Sequence, residues 1–366
     1  MASAVPESGD DLILDDLPTS VLASMEVRDR SLNGLGMGGE LGFEFIAEDF
    51  LRWLPGQVLK VAFLGGDAAL HRDIAGALAE ITEACSIRFD FGESGGAFRT
   101  WSEADTVHTA EIRVSFDKAG YFSLVGTDSI NPAIGAPTER VGGRPHQCSL
   151  NLGGFHIQRP ATWRGTVRHE FMHALGFHHS HQNMRGPCQL AFRWEDDAGY
   201  QPTLDARGTY VADAQGRRPG VYTYLAGAPN RWNRAKVDHN LKTEENPRVI
   251  VGPFDASSVM LYRFPDHFYR SVPSPCAPVG NGQSLSDGDR RGLQLLYPRL
   301  EAFGASERQQ QLAAALAPPT AGGDGLMGLE TMSGSEADPA GANPWLRTAV
   351  DILGRNARVV AAADPA

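Results

Sequence analysis

The stretch Thr166–His181, TVRHEFMHALGFHHSH, holds five of the chain's eleven histidines. His169 and His173 stand four apart, so on a helix their imidazoles leave one face a turn apart and share one cation. Glu170 sits beside that face. Gly176, three residues on, is where a helix ends, because glycine tolerates the left-handed conformation that turns the chain and carries His179 back toward the other two rings. Three neutral imidazoles on one Zn²⁺ leave a fourth position for water, whose pKa falls to about 7 on the metal. Glu170 is placed to take that water's proton and pass it to a leaving amine. His178 and His181 fall outside the spacing and read as supporting or surface residues rather than ligands.

The rest of the composition narrows the alternatives. The chain has 366 residues, with 33 basic against 44 acidic side chains and a net charge of −11. No Lys/Arg cluster suited to a phosphate backbone is present, which argues against nucleic acid as a partner. No run approaches the ~18 apolar residues needed to span a bilayer. The opening MASAVPESGDDLILDD has no basic n-region or sustained apolar core, so no secretory signal is legible, and the expectation is a cytoplasmic protein or one exported by a non-classical route, unless a signal was trimmed. Cys85, Cys148, Cys188 and Cys276 are widely spaced without a C-x-x-C pair, against a cysteine zinc site. Their pairing stays open, Cys148 with Cys188 included.

Three regions follow from the patterning. Residues 1–50, acidic and then glycine-rich at NGLGMGGELG, read as a partly disordered arm. Residues 51–299 read as the compact domain. In it, VLKVAFL (58–64) is a buried strand, 68–84 a helix with Leu70, Ile74, Ala77, Leu78 and Ile81 on one face, and SIRFDF and EIRVSF are alternating strands. Residues 182 to about 250 lack periodic apolar runs and read as irregular surface. LSDGDRRGLQLLYP reads as a helix capped by Ser286 with Asp289 three residues on, stopped by Pro298. Residues 300–366 read as an extension: a short helix after Ser306, a linker over 317–342, and a last helix opened by Asn343 and Pro344.

The pattern H-E-x-x-H-x-x-G-x-x-H resembles that of the metzincin metallopeptidases, whose second mark is a methionine turn below the metal. SSVMLY supplies one, with Met260 as structural floor and Tyr262 where astacin-like and serralysin-like enzymes carry a displaceable fifth zinc ligand that steadies the oxyanion. Met260 stands 81 residues after His179, a long insert of astacin-like kind. CSIRFDF, AGYFSLVG, PFDASSVMLY and LSDGDRRGLQLLY are similar to that family's segments, over about 53–298. The resemblance implies an α/β (α+β) metzincin fold: a twisted mixed sheet with two long helices above a cleft, and an irregular lower half carrying the methionine turn. It also implies one catalytic Zn²⁺ on His169, His173, His179 and Tyr262, with Glu170 and Tyr262 catalytic. An extended protein or peptide substrate would pair with a rim strand, in EIRVSF or near SLNLGG. A monomer is assumed.

The departures carry information too. Tyr121 replaces a family cysteine, and no cysteine follows Tyr297 to pair with Cys85, so the family's disulfide pattern is lost. Ser180 stands where astacins have a glutamate that meets the new amino terminus after propeptide removal. No cysteine precedes Trp53, which excludes a cysteine switch, and SGDD only faintly resembles an aspartate switch. The expectation is therefore an enzyme that needs no trimming. Two other readings stay open: a zinc-holding binding module without turnover, and a peptidase effector or toxin delivered to another cell.

Overall fold

A computed structural model describes residues 14–33, 46–48, 51–243, 249–251 and 253–299. SGDD, the glycine-rich stretch and the whole C-terminal extension, with its two expected helices and linker, lie outside the described residues. The chain begins with α1 (Thr19–Asn33), then β1 (Ile46–Glu48), β2 (Val58–Leu64), α2 (Ala68–Ala77), α3 (Ala79–Ala84), β3 (Arg88–Asp90), β4 (Ile112–Ser115), β5 (Tyr121–Ser123) and β6 (Leu150–Leu152). The histidine stretch forms α4 (Trp163–Ala174), and α8 (Asp287–Leu296) closes the described chain.

One mixed five-stranded sheet organises this half, in the order β3-β2-β4-β6-β5. Its first four strands are parallel, and β5 lies antiparallel to β6 at the rim. Inner parallel strands are covered on both faces, so they carry apolar runs: Leu59, Val61, Ala62 and Phe63 in β2 are all fully buried, as is every residue of β4. The rim is thus β5. The expectation that EIRVSF or SLNLGG forms it fails, because β4 and β6 each have a strand on both sides and no free edge to offer.

The expected helix over 68–84 is two helices. Asp67 caps α2 by accepting from the Leu70 amide at 2.8 Å, and its buried face holds Leu70, Ile74 and Ala77. The chain tightens at Leu78, whose amide turns to Ala75 at 3.3 Å, and restarts as α3. Gly76, a poor helix former, lies in that last turn.

The core joins the sheet to α4 through Val167, Phe171 and Met172 and to α8 through Leu293 and Leu296. Helix α4 ends in satisfied carbonyls: Trp53 Nε1 donates to Ala174 O at 2.8 Å and the Tyr297 hydroxyl to Leu175 O at 2.6 Å. A second core is built around Phe192, Leu225, Val237, Phe264, Phe268 and the Cys188–Cys276 disulfide. Short elements occupy the segment expected to be irregular: α5 (Cys188–Ala191), β7 (Thr203–Leu204), β8 (Tyr210–Val211), α6 (Val221–Ala226) and α7 (Arg234–Leu241). Strand β9 (Val249–Val251) follows them and pairs with β1. Cys85 and Cys148 are buried and unpaired, so Cys148 does not join Cys188. No helix among the described residues is long and apolar enough to cross a membrane.

Candidate metal centre and its occupant

Helix α4 delivers His169, Glu170 and His173 and stops one residue later. Gly176 takes φ +95°, with its amide on His173 O at 2.8 Å and the Phe177 amide on Met172 O at 3.1 Å, which reverses the chain. His179 then returns to the helix. Its Nε2 lies 3.1 Å from that of His173, which is 3.2 Å from that of His169.

Each ring is oriented from behind. Nδ1 of His169 donates to Val259 O at 2.8 Å, that of His173 to Phe177 O at 2.7 Å, and that of His179 to Gln182 Oε1 at 3.1 Å. A carbonyl only accepts, so the proton sits on Nδ1 and the Nε2 lone pairs face one another. Burial pushes the His169 imidazole down to about 4, with neighbouring His173 adding to it, and lowers His179 as well. Neutral rings with converging lone pairs suit a cation at their centre.

The fourth corner is filled by a residue that sequence reasoning missed. Asp15 Oδ2 lies 3.1 Å from His173 Nε2 and 3.2 Å from His179 Nε2, and Oδ1 lies 3.8 Å from His169 Nε2. A tetrahedral zinc with ~2.0–2.1 Å bonds has ligand-to-ligand edges of about 3.3 Å, so the four residues fit the ion. All four are buried.

Asp15 comes from the arm, which bridges the rim strand and the second core. Its amide donates to the Tyr262 hydroxyl at 2.9 Å, and the Asp16 amide reaches Tyr121 O on the rim strand at 3.3 Å, in parallel pairing. Leu14 joins the lower core, and Asp16 accepts from Trp232 Nε1 at 3.1 Å and pairs with Lys236. The expectation of an enzyme that needs no trimming did not foresee this contact: Asp15, in the described stretch LDDLP, occupies the corner that the three imidazoles leave. A signal was present, since Leu17, Val21, Met25 and Arg28 repeat at helical spacing directly after Asp15 and Asp16.

Glu170 is 1% exposed and hydrogen-bonds the Asp15 carboxyl, and burial followed by the nearby Asp15 raises its pKa well above the usual carboxylate range. Its Oε2 is buried with no hydrogen-bond partner among the described residues. Tyr262 faces the rings of His179 and His169 at 4.4 and 5.3 Å between centroids. Met260 is buried beneath, in the core that holds α4, and its carbonyl accepts from the Ser180 amide at 2.9 Å. Asp289, at the start of α8, accepts from Ser258 Oγ at 2.6 Å and the Val259 amide at 2.9 Å, while also completing the capping box with Ser286. The closing helix thereby fixes the turn that orients His169. His181 is fully buried with Nε2 at 2.8 Å from Asn240 O, beside Tyr262 and away from the fourth corner, and His178 is half-buried.

No protein-family model matches the chain. No curated protein matches it significantly. Among solved structures it is similar to myroilysin, with 27% identity over 69% of this chain and 98% of that one and a TM-score of 0.48. A second myroilysin structure gives 25% identity over 68% and 86% of the two chains, TM-score 0.39. High choriolytic enzyme 1, a hatching enzyme zinc-protease from Oryzias latipes (medaka fish), gives 18% identity over 68% and 94%, TM-score 0.36.

Proposed function

We propose that the chain is an astacin-like zinc endopeptidase held latent by its own N-terminal arm. One observation carries the reading: three Nε2 atoms converge while every Nδ1 behind them is committed to an oxygen acceptor. Residues 51–299 form the catalytic domain in this reading, residues 1–50 the inhibitory arm, and residues 300–366 an extension. His169, His173 and His179 are the resident ligands, and Tyr262 is the displaceable one.

Zinc, when bound, acidifies a water and polarises the scissile carbonyl. Glu170 takes the proton of the attacking water and returns it to the leaving amine, a role that suits a carboxylate next to the first ligand on the same helix. The Tyr262 hydroxyl donates to the oxyanion once Asp15 no longer engages it. With the arm displaced from Tyr121, the edge of β5 pairs with an extended protein or peptide, and Met260 supports the metal from below.

Metal analysis and a peptide-library digest test this on full-length chain carrying Asp15→Ala, with and without Glu170→Ala. The expected result is about one zinc per chain in both, with cleavage falling ~10²–10⁴-fold in the second. Chelation should abolish cleavage and zinc should restore it. Equal cleavage with and without Glu170 would refute the base assignment.

A further inference from the structure

Two of the three imidazoles are held from behind by backbone carbonyls, Val259 O and Phe177 O, which can only accept. The third leans on a carboxamide. Gln182 carries an acceptor and a donor on one group, so its contact with His179 Nδ1 at 3.1 Å has two opposite senses. With Oε1 toward the ring, Nδ1 holds the proton and the ring's Nε2 is bare. With the amide nitrogen toward the ring, Nδ1 accepts, the proton moves to Nε2, and the lone pair facing His173 is lost.

Helix α7 decides between the two. The Gln182 amide nitrogen donates to His239 O at 2.7 Å and to Lys242 O at 3.5 Å, one carbonyl in the last turn of α7 and the other at its C-cap. Carbonyls at a helix end lack the amide of a following turn, and the Thr243 amide, next in line for His239 O, turns instead to Gln189 Oε1 at 3.2 Å. Turning the carboxamide over would set oxygen against oxygen at His239 and forfeit both bonds to α7. Asn240 O, in the same last turn, accepts from Nε2 of His181 at 2.8 Å, and the His181 ring stacks on that of His179 with 5.0 Å between centroids. One helix end thus grips both residues that support the third imidazole.

We propose that Gln182 is a positioning residue of the metal centre: α7 fixes the sense of its carboxamide, and the carboxamide holds His179 as the Nδ1–H tautomer with Nε2 open to a divalent cation. The inference rests on the peptidase reading for the identity of that cation and goes beyond it in assigning α7 a task. Val259 and Phe177 act through backbone atoms that no substitution removes, whereas the support of His179 is a side chain and can be taken away. A short helix in the segment without apolar periodicity therefore belongs to the metal site, although none of its side chains faces the ion's place.

The test reads the ring before the activity. Full-length chain carrying Asp15→Ala, which removes the carboxylate beside His179 Nε2, is prepared metal-free with isotopically labelled histidine nitrogens and observed by NMR at pH 8, the His179 signals being assigned by their loss in His179→Ala. They should show the proton on Nδ1 alone. Adding Gln182→Leu should replace that single form by a mixture of tautomers or by the Nε2–H form, and zinc affinity, read by competition with a chelating dye, should fall about 10- to 100-fold. A proton on Nε2 of His179 in the chain that keeps Gln182 overturns the proposal, whatever the folding of the Gln182→Leu variant. A folded Gln182→Leu chain that keeps either the single tautomer or the zinc affinity overturns it as well. Zinc bound with the expected tautomer, but no peptide cleaved by the chain that keeps Gln182, would sink the peptidase reading and leave the role of Gln182 standing.

Discussion

The carboxylate of Asp15 lies 3.1 Å from Nε2 of His173, joining the N-terminal arm to the histidine helix α4. In the proposed enzyme the contact places an anion where the attacking water or a substrate carbonyl would sit. Asp15→Asn keeps the shape and removes the charge. Losing a charge-assisted contact of about 1.5–3 kcal/mol at this corner should raise peptide cleavage by the full-length chain roughly 10- to 100-fold. Unchanged activity, read with a quenched fluorescent peptide under identical zinc loading, would show that the arm is not the brake.

The candidate metal site and the arm differ in how far the sequence revealed them. His169, Glu170, His173 and His179 were legible because a helix and one glycine reversal fix their convergence within eleven residues. Met260 and Tyr262 needed a family resemblance, since spacing alone does not bring residues 81 positions apart together. Asp15 was missed because an acidic and glycine-rich composition suggests disorder. That average concealed the stripe Leu17, Val21, Met25 and Arg28, which buries itself only against the finished domain. The rim was misassigned for a related reason: alternation identifies a strand, but its neighbours are set by long-range pairing.

Asp289 ties the closing helix to the turn at Ser258 and Val259. It accepts from Ser258 and Val259 while capping α8, and Val259 O in turn orients His169. Asp289→Ala leaves buried donors unsatisfied at about 1–3 kcal/mol, and the loosened His169 should weaken metal binding about 10- to 100-fold. Chemical denaturation and zinc competition with a chelating dye read the two effects separately. Full stability together with unaltered zinc affinity would contradict the link.

The cysteines offer a check that needs no mutation. Cys188 and Cys276 are bonded, while burial pushes the Cys85 thiol up to about 11 and raises that of Cys148 too. Thiolate is the reactive form, so neither should alkylate at pH 8 in the native protein. Mass spectrometry should find two alkylated cysteines after unfolding and four after unfolding with reduction. Native labelling of Cys148 would contradict its packing between β4 and the arm-covered core.

Tyr262 serves both states of the proposed enzyme, so its removal should have opposite effects on them. In the latent chain its hydroxyl accepts from the Asp15 amide, and Tyr262→Phe removes that tether while keeping the ring packed against His179 and Phe264. Less arm is then held in place. With the arm already unlatched by Asp15→Ala, only the oxyanion contact remains to be lost, and kcat should fall about 10²- to 10³-fold with little change in KM. Zinc content should stay near one per chain, because the three imidazoles keep their acceptors behind Nδ1. An unlatched Tyr262→Phe chain with full kcat would leave Tyr262 a packing residue and place oxyanion stabilisation elsewhere.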